Sequence, residues 1–470
     1  MGRYAPSHRS LIKRLLRIGA LYVVFSRPAS GLPHVSVGRV DTHRQLSAKY
    51  VIGCYHQGRR SSNVIMILKV SPWLLLAAII LWSLAWAQQS SPTSAEERYR
   101  PIIQQIEQML SKLDDRGAGL FSLARLYAQV GDRQKALALL KESLATDEGF
   151  DPSGSEMLAP LRSSPDFARL AEQAQKRYPA VHKAKVAFTV PEKDLFPEGL
   201  AYDPAKQLFY MGSMYRRKVV RITEKGKVSD VIKPDLYHLQ PIGGIHVDPA
   251  DHTLWAAADP DDAHGSELYH FEAQGQLLER YSPPGPGRHD LNDLVLYRSS
   301  AIFVTDTDAN LTYRFDRRTH VFTPLKLSRP QLFPNGITLS ADATRLYIAD
   351  WLGVIMLDLR DNVARDVHPG KHNTLCGIDG LYWYKNSLIG VQSAGTYRVA
   401  RWFLSGDGRR VLAGKILEMG TPLVSSPTTG AIHETQFYFI ANTGIDNYDD
   451  GKIVDPTRLE PVRIAVVALE

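Results

Sequence analysis

The apolar and polar positions of this chain fall into three regimes. From about residue 185 onward, short apolar runs recur between turn-forming residues. The clearest occupy 208–211, 254–257, 302–305, 346–349, 388–391 and 437–440. They are rich in β-branched and aromatic residues and bounded by Gly, Asp, Asn and Pro, as strands are. Each comes after another short apolar run, and a third often succeeds it, as at 218–222 and 268–271. The leading runs open near 197, 242, 291, 334, 377 and 427, a period of 43 to 50 residues. That spacing belongs to propeller blades. Six such units over 185–470 predict a mainly β fold, a six-bladed β-propeller whose radial repetition leaves only short strand edges. The apolar run 462–467 is placed to complete a blade with the start of the domain and latch the ring.

Residues 95–178 carry a helical period instead. Ile102, Ile103, Ile106, Met109, Leu110 and Leu113 share one face. Leu120, Ala124, Tyr127, Gly131, Ala136 and Leu140 sit at the offsets of one tetratricopeptide-like helix pair, with Gly131-Asp132 as its turn. A further helix is expected over 165–177. A single hairpin cannot bury its own apolar face. These helices are therefore expected to pack on the propeller or on a protein partner, with a peptide-binding groove as the sharper alternative.

The first 90 residues resemble targeting sequence. An apolar run at 73–82 comes after Lys69 and precedes Ala85-Trp86-Ala87-Gln88, a small-x-small cleavage pattern. Residues 66–87 thus read as a secretory signal peptide with its own start at Met66, and 1–65 as a basic upstream extension outside the mature protein. The alternative for 66–87 is an uncleaved membrane anchor. A transit peptide would account for the Arg-rich start but not for the later apolar run. The expected destination is export, to a periplasm or the exterior.

Charge sharpens this division. The formal net charge is +7, but residues 1–65 hold eleven Lys/Arg against Asp41 alone. The remaining 45 basic against 48 acidic residues leave the folded part slightly acidic. It lacks the basic footprint that nucleic-acid binding requires. Of the two cysteines, Cys54 and Cys376, only Cys376 falls in the propeller, so no disulfide forms within it. Cys376 reads as a small buried residue rather than a nucleophile.

Four blade openings carry an oxygen at one matched position: Glu198 in Phe-Pro-Glu-Gly, Asn292 in Leu-Asn-Asp, Asn335 in Phe-Pro-Asn-Gly and Asp379 in Gly-Ile-Asp-Gly. In a closed ring all four face the axis. Two carboxylates with two amide oxygens suit one hard divalent cation, Ca²⁺ above all, and leave coordination positions open. A bound lactone or ester carbonyl would be polarised there without a Ser or Cys triad. Taken singly, Asn335-Gly336 and Asp379-Gly380 are common turn pairs. Gly243 holds the matched position in the second blade, which suggests an opening there. His246, three residues on, could shuttle protons into it, or could be a partly buried structural histidine.

These motifs, with Pro-Asn-Gly-Ile-Thr-Leu-Ser-Ala-Asp and Leu-Tyr-Ile-Ala-Asp, resemble the gluconolactonase, senescence-marker-protein and luciferin-regenerating-enzyme family over roughly 190–470. The resemblance implies a bound divalent cation, Ca²⁺ or Zn²⁺, and opening of sugar lactones or related esters. It carries over Glu198, Asn335 and Asp379 as metal ligands, Asn292 as ligand or substrate contact, and Asp379 as the acid–base group. Two departures stand out. Sugar-lactone members have an Arg two residues before the Asn, where this chain has Asp290. The paraoxonase and arylesterase branch, which Leu-Asn-Asp-Leu-Val also resembles, holds a second, structural Ca²⁺ with an acid after the Glu, where this chain has Gly199. The expected function is metal-dependent hydrolysis of a small-molecule lactone or ester. The alternative is a non-catalytic propeller with a structural metal and a binding partner. A structural site would be saturated by protein oxygens, whereas two blades here offer none.

Overall fold

The computed structural model describes residues 22–26, 34–38 and 95–470, apart from Asp235, Asp262, Ala263, Gly395 and Asp450. The chain divides into two compact units, 1–93 and 94–470. In the first, Tyr22–Ser26 and His34–Gly38 pair as antiparallel strands. The expected signal segment at 66–87 lies outside the described residues. No described helix is long and apolar enough to cross a membrane.

The second unit contains the propeller. Blade one runs outward through Leu200–Asp203, Leu208–Gly212, Val219–Thr223 and Val228–Ile232. Blade two comprises Ile242–Val247, Leu254–Ala258, Glu267–Phe271 and Leu277–Tyr281, and blade three Leu291–Tyr297, Ala301–Asp306, Leu311–Asp316 and Val321–Pro324. Blade four comprises Ile337–Leu339, Arg345–Asp350, Gly353–Asp358 and Val363–Asp366. Blade five comprises Ile378–Trp383, Ser387–Gln392, Arg398–Leu404 and Val411–Met419, with Val181–His182 added at its outer edge. Blade six takes Gly430–His433, Gln436–Ile440 and Val462–Ala468 from the C-terminal end and Lys185–Val190 from the start of the domain. Its last two strands pair antiparallel, Val462 opposite Val190. The ring is therefore latched by the expected C-terminal strand.

The apolar pattern has a direct cause. Leu254–Ala258, Ala301–Asp306, Gly353–Asp358 and Ser387–Gln392 are buried along their whole length. A blade stacks on a neighbour at each face, so its middle strands read as unbroken apolar runs instead of alternating. The innermost strands of successive blades touch in turn around the ring, and those of blades six and one close it. Their first residues consequently surround one axis.

Four described α-helices precede the ring: α1 (Ala95–Met109), α2 (Arg116–Gln129), α3 (Arg133–Ala145) and α4 (Pro165–Arg177). Asp115 caps α2 by accepting from Ala118 N at 2.8 Å, and Asp132 caps α3 through Lys135 N. Gly131 makes the hairpin turn at φ +85°. Helix α2 is buried from Gly117 to Ala128. Its core joins Ile106, Phe121, Leu140 and Phe150 to Leu332, Leu352 and Cys376 of the propeller. Two polar contacts fix the docking. Asp115 accepts from Thr374 Oγ1 at 2.9 Å, and Arg125 donates to Ala394 O at 2.9 Å while its guanidinium lies 4.4 Å from the Trp351 ring centre. The apolar face that a lone hairpin cannot bury thus rests on the propeller.

Candidate functional site

Local backbone chemistry delivers the blade-opening residues to the axis. Phe196, Phe333 and Gly377 each stand two residues before Glu198, Asn335 and Asp379, and all three are left-handed, at φ +44°, +50° and +63°. For the two phenylalanines this costs about 1–3 kcal/mol each. Packing holds them: Phe196 is buried between Tyr215 and Tyr448, and Phe333 lies against Trp351 with ring centres 4.6 Å apart. The glycine after Glu198, and likewise the one after Asn335, lets the next inner strand approach. A Cβ at Gly199 would stand 2.3 Å from Gly243 O, and one at Gly336 2.2 Å from Asp379 O. Blade three lacks that glycine and has Asp293. Its carboxylate bridges the gap instead, accepting from Leu294 N at 2.8 Å and from Ile337 N of blade four at 3.3 Å.

The oxygens so delivered are short of partners. Among the described residues the carboxylate of Glu198 and the side chain of Asn292 make no hydrogen bond or ion pair within the protein. Asn335 Oδ1 and Asp379 Oδ1 are buried without a partner among the described residues. Asp379 is 7 % exposed, and its other oxygen accepts from Ser393 Oγ at 2.7 Å. Burial pushes Asp379 up to about 6 against the restraint of the Ser393 and Asn335 hydrogen bonds. Glu198 is half-buried. Burial, then the charges of Asp379, Asp290 and Asp293, push it up to about 8. Among the described residues no Lys or Arg relieves either group. Buried carboxylates without a counter-charge call for a proton or a cation, so the donor set fits a hard divalent ion. Among the described residues no three His, Cys, Asp or Glu side chains form a metal-ligating group by themselves. The fit depends on the amide oxygens of Asn292 and Asn335 beside the two carboxylates.

Blade two is not empty. Asp259, one residue beyond its second strand, turns back toward the position where Gly243 offers no side chain: a Cβ at Gly243 would lie 3.2 Å from Asp259 Oδ1. Burial and the charges of Asp290 and Glu198 push Asp259 well above the usual carboxylate range. Asp290, with a buried unpartnered oxygen, is pushed up to about 7 by burial and by Asp308 and Asp306. The opening expected at Gly243 is therefore filled by a carboxylate, and blade two does contribute oxygen near the axis. In blade six the hydroxyls of Thr428 and Thr429 donate to Glu198 O. The sequence signal for Asp259 was faint. It holds the place Ser393 holds in blade five, the residue whose N–H bonds back to the opening of its own blade.

His246 lies apart from this set. Its Nε2 is 3.8 Å from Asp293 Oδ1, and burial pushes its pKa down to about 4. Asp293 itself is pushed up to about 7, chiefly by burial. No described contact joins His246 to Asp379. Asp261 pairs with Arg217 at 2.6 Å, and Asn447 is buried, its side chain bonding both backbone groups of Asp455. Asp262 and Asp450 lie outside the described residues.

Two hollows reach the region. One, of about 310 Å³, is lined by Asn335, Asp379 and Ser393, by Asp308, and by Arg98 and Tyr99 of α1. The other, a cleft of about 1020 Å³ beside blades two and three, has Asp259, His289 and Asp290 on its wall. Glu198 and Asn292 line neither. The smaller hollow is the one lined by Asn335 and Asp379.

No protein-family model matches the chain. No curated protein matches it either. Among solved structures it is similar to a gluconolactonase from Xanthomonas campestris, with 17% identity over 60% of this chain and 88% of that one and a TM-score of 0.43. A luciferin-regenerating enzyme matches at 14% identity over 60% and 94% of the two chains, TM-score 0.44. A glucose dehydrogenase-like putative oxidoreductase from Thermus thermophilus matches at 14% over 61% and 99%, TM-score 0.43. The six-bladed architecture stands on the sheets themselves, independently of these likenesses.

Proposed function

We propose that this protein is a divalent-cation-dependent hydrolase of small lactones or esters, working at the axial end of the propeller. One observation carries the reading: Glu198, Asn292, Asn335 and Asp379 open four blades at matched positions, one side-chain oxygen each of Asn335 and Asp379 is buried without a partner among the described residues, and Glu198 feels the Asp379 charge with no counter-charge. Those four residues would hold the cation, Ca²⁺ by donor type. When bound, it supplies Lewis-acid polarisation of the scissile carbonyl. The remaining work falls to the chain. Asp379, ionised above pH of about 6, accepts a proton from the attacking water and returns it to the leaving oxygen. Ser393 fixes its orientation through the 2.7 Å bond. His246, neutral at pH 7, stands apart from these four beside Asp293, and no step is assigned to it. The apolar ring residues beside Asn335, Phe333 and Trp351, exclude water from one wall.

Asp259 favours a second reading. A carboxylate at blade two brings the set closer to saturation by protein oxygens, as a structural cation would require. One experiment separates the two. The full chain is stripped with chelator, re-loaded with Ca²⁺ or Zn²⁺, and assayed for melting temperature and for turnover of neutral lactones and aryl esters. Turnover that returns with metal and drops roughly 100-fold or more in kcat in Asp379→Asn supports the hydrolase. Restored melting temperature without turnover of any substrate leaves the structural staple.

A further inference from the structure

We infer that Arg98, on the first helix rather than the propeller, selects substrates that carry an anionic group beside a flat apolar body. The inference deepens the hydrolase reading and rests on it. The small hollow is lined by Asn335, Asp379 and Ser393 of the blade openings, by Arg98 and Tyr99 of α1, and by Asp308, whose charge is paired with Arg288. It also has an aromatic wall of Phe333 and Trp351, whose rings are tilted 45° to each other. Arg125 stacks on Trp351 and hydrogen bonds to Ala394 O, which fixes that wall's position.

Among the described residues that line the hollow, Arg98 is the one cation. Its helix neighbour Arg100 is paired with Glu96, but the residues three and four positions from Arg98 are Ser94, Ala95, Pro101 and Ile102, none of them acidic. Its described contact is with the Tyr99 ring, 5.4 Å away, and it has no carboxylate partner among the described residues. A guanidinium is a fork-shaped donor suited to a carboxylate. A hollow of about 310 Å³ holds a compact ligand. A ligand whose carbonyl lies at Asn335 and Asp379 shares the hollow with Arg98.

The test uses the calcium-loaded full chain with phenyl acetate and its para-carboxylate, 4-acetoxybenzoate. The expected result is that Arg98→Ala raises KM for 4-acetoxybenzoate roughly fivefold, since an exposed ion pair is worth at most about that factor. Its kcat and the KM for phenyl acetate should stay within about twofold, and Arg98→Lys should recover part of the loss. Equal effects on both esters, or no effect on either, would overturn the inference. If the wild type hydrolyses neither ester, the lactone assay decides the hydrolase reading, and calorimetric binding of 4-hydroxybenzoate against phenol decides the role of Arg98. A wild-type preference for the anion that is lost in Arg98→Ala then sustains it, and no preference sinks it.

Discussion

At the scale of single residues, the site is defined by acids that the protein fails to neutralise. Glu198 is held near 8, Asp290 and Asp293 near 7 and Asp379 near 6. Each folded value lies above its ordinary one, so each contributes stability that is complete below about pH 4 and lost as pH rises through the folded value. The chelated protein should accordingly melt at lower temperature as pH climbs from 5 to 8. Saturating Ca²⁺ should flatten that slope, and Ca²⁺ should bind more tightly at pH 8 than at pH 6. A calorimetric series with and without chelator checks this, and a chelated protein indifferent to pH would mean that the acids are neutralised by something else. Asp259 permits a sharper variant. Asp259→Asn removes an acid that burial beside Glu198 and Asp290 forces to keep its proton, so it should raise the melting temperature of the chelated protein, most at high pH. Its effect on Ca²⁺ affinity then reports whether blade two ligates the ion.

At the scale of elements, the spacing of the inner strands is set by the residue directly after each oxygen bearer. Gly336→Ala places a methyl group 2.2 Å from the Asp379 carbonyl, in backbone that cannot yield without moving the ligand strand. The expected cost is about 1–3 kcal/mol in unfolding free energy, with weaker Ca²⁺ binding as the strands part. Gly406→Ala, where nothing lies within 4 Å of the added carbon, is the control and should be nearly neutral. Equal melting temperatures for the two variants would count against the close-approach argument. Blades and strand-head oxygens were legible in the sequence because both are periodic: a strand buried on both faces writes an unbroken apolar run, and Glu198, Asn292, Asn335 and Asp379 recur in step with it. Asp259 was not legible as a site residue. It leaves the period, standing one residue past its strand, and only the fold turns it back toward Gly243. The left-handed phenylalanines were equally hidden, since a residue before proline is ordinarily extended.

At the scale of the whole molecule, the ring depends on a strand that arrives last. Val462–Ala468 pairs on one side with Gln436–Ile440 and on the other with Lys185–Val190, so it joins the two ends of the propeller. Its apolar character made this role legible, whereas the seating of α1 over Asn335 and Asp379 was not, because amphipathic helices show that they need a surface and not which one. A chain ending at Glu460 would leave Lys185–Val190 without its partner and expose the edge of Gln436–Ile440. An open sheet edge invites pairing with other chains, and the axial oxygens lose their common origin once blades six and one can part. We therefore expect the truncated chain to lose cooperative unfolding and Ca²⁺ binding together, and to aggregate. Glu470→Ala removes only an exposed ion pair with Lys385 and a contact to Tyr384, and should leave both properties intact. Chemical denaturation and calcium titration of the two chains read the result. A truncated chain that still binds Ca²⁺ with unchanged affinity would show that the other contacts between the blades, not this strand, hold the ring closed.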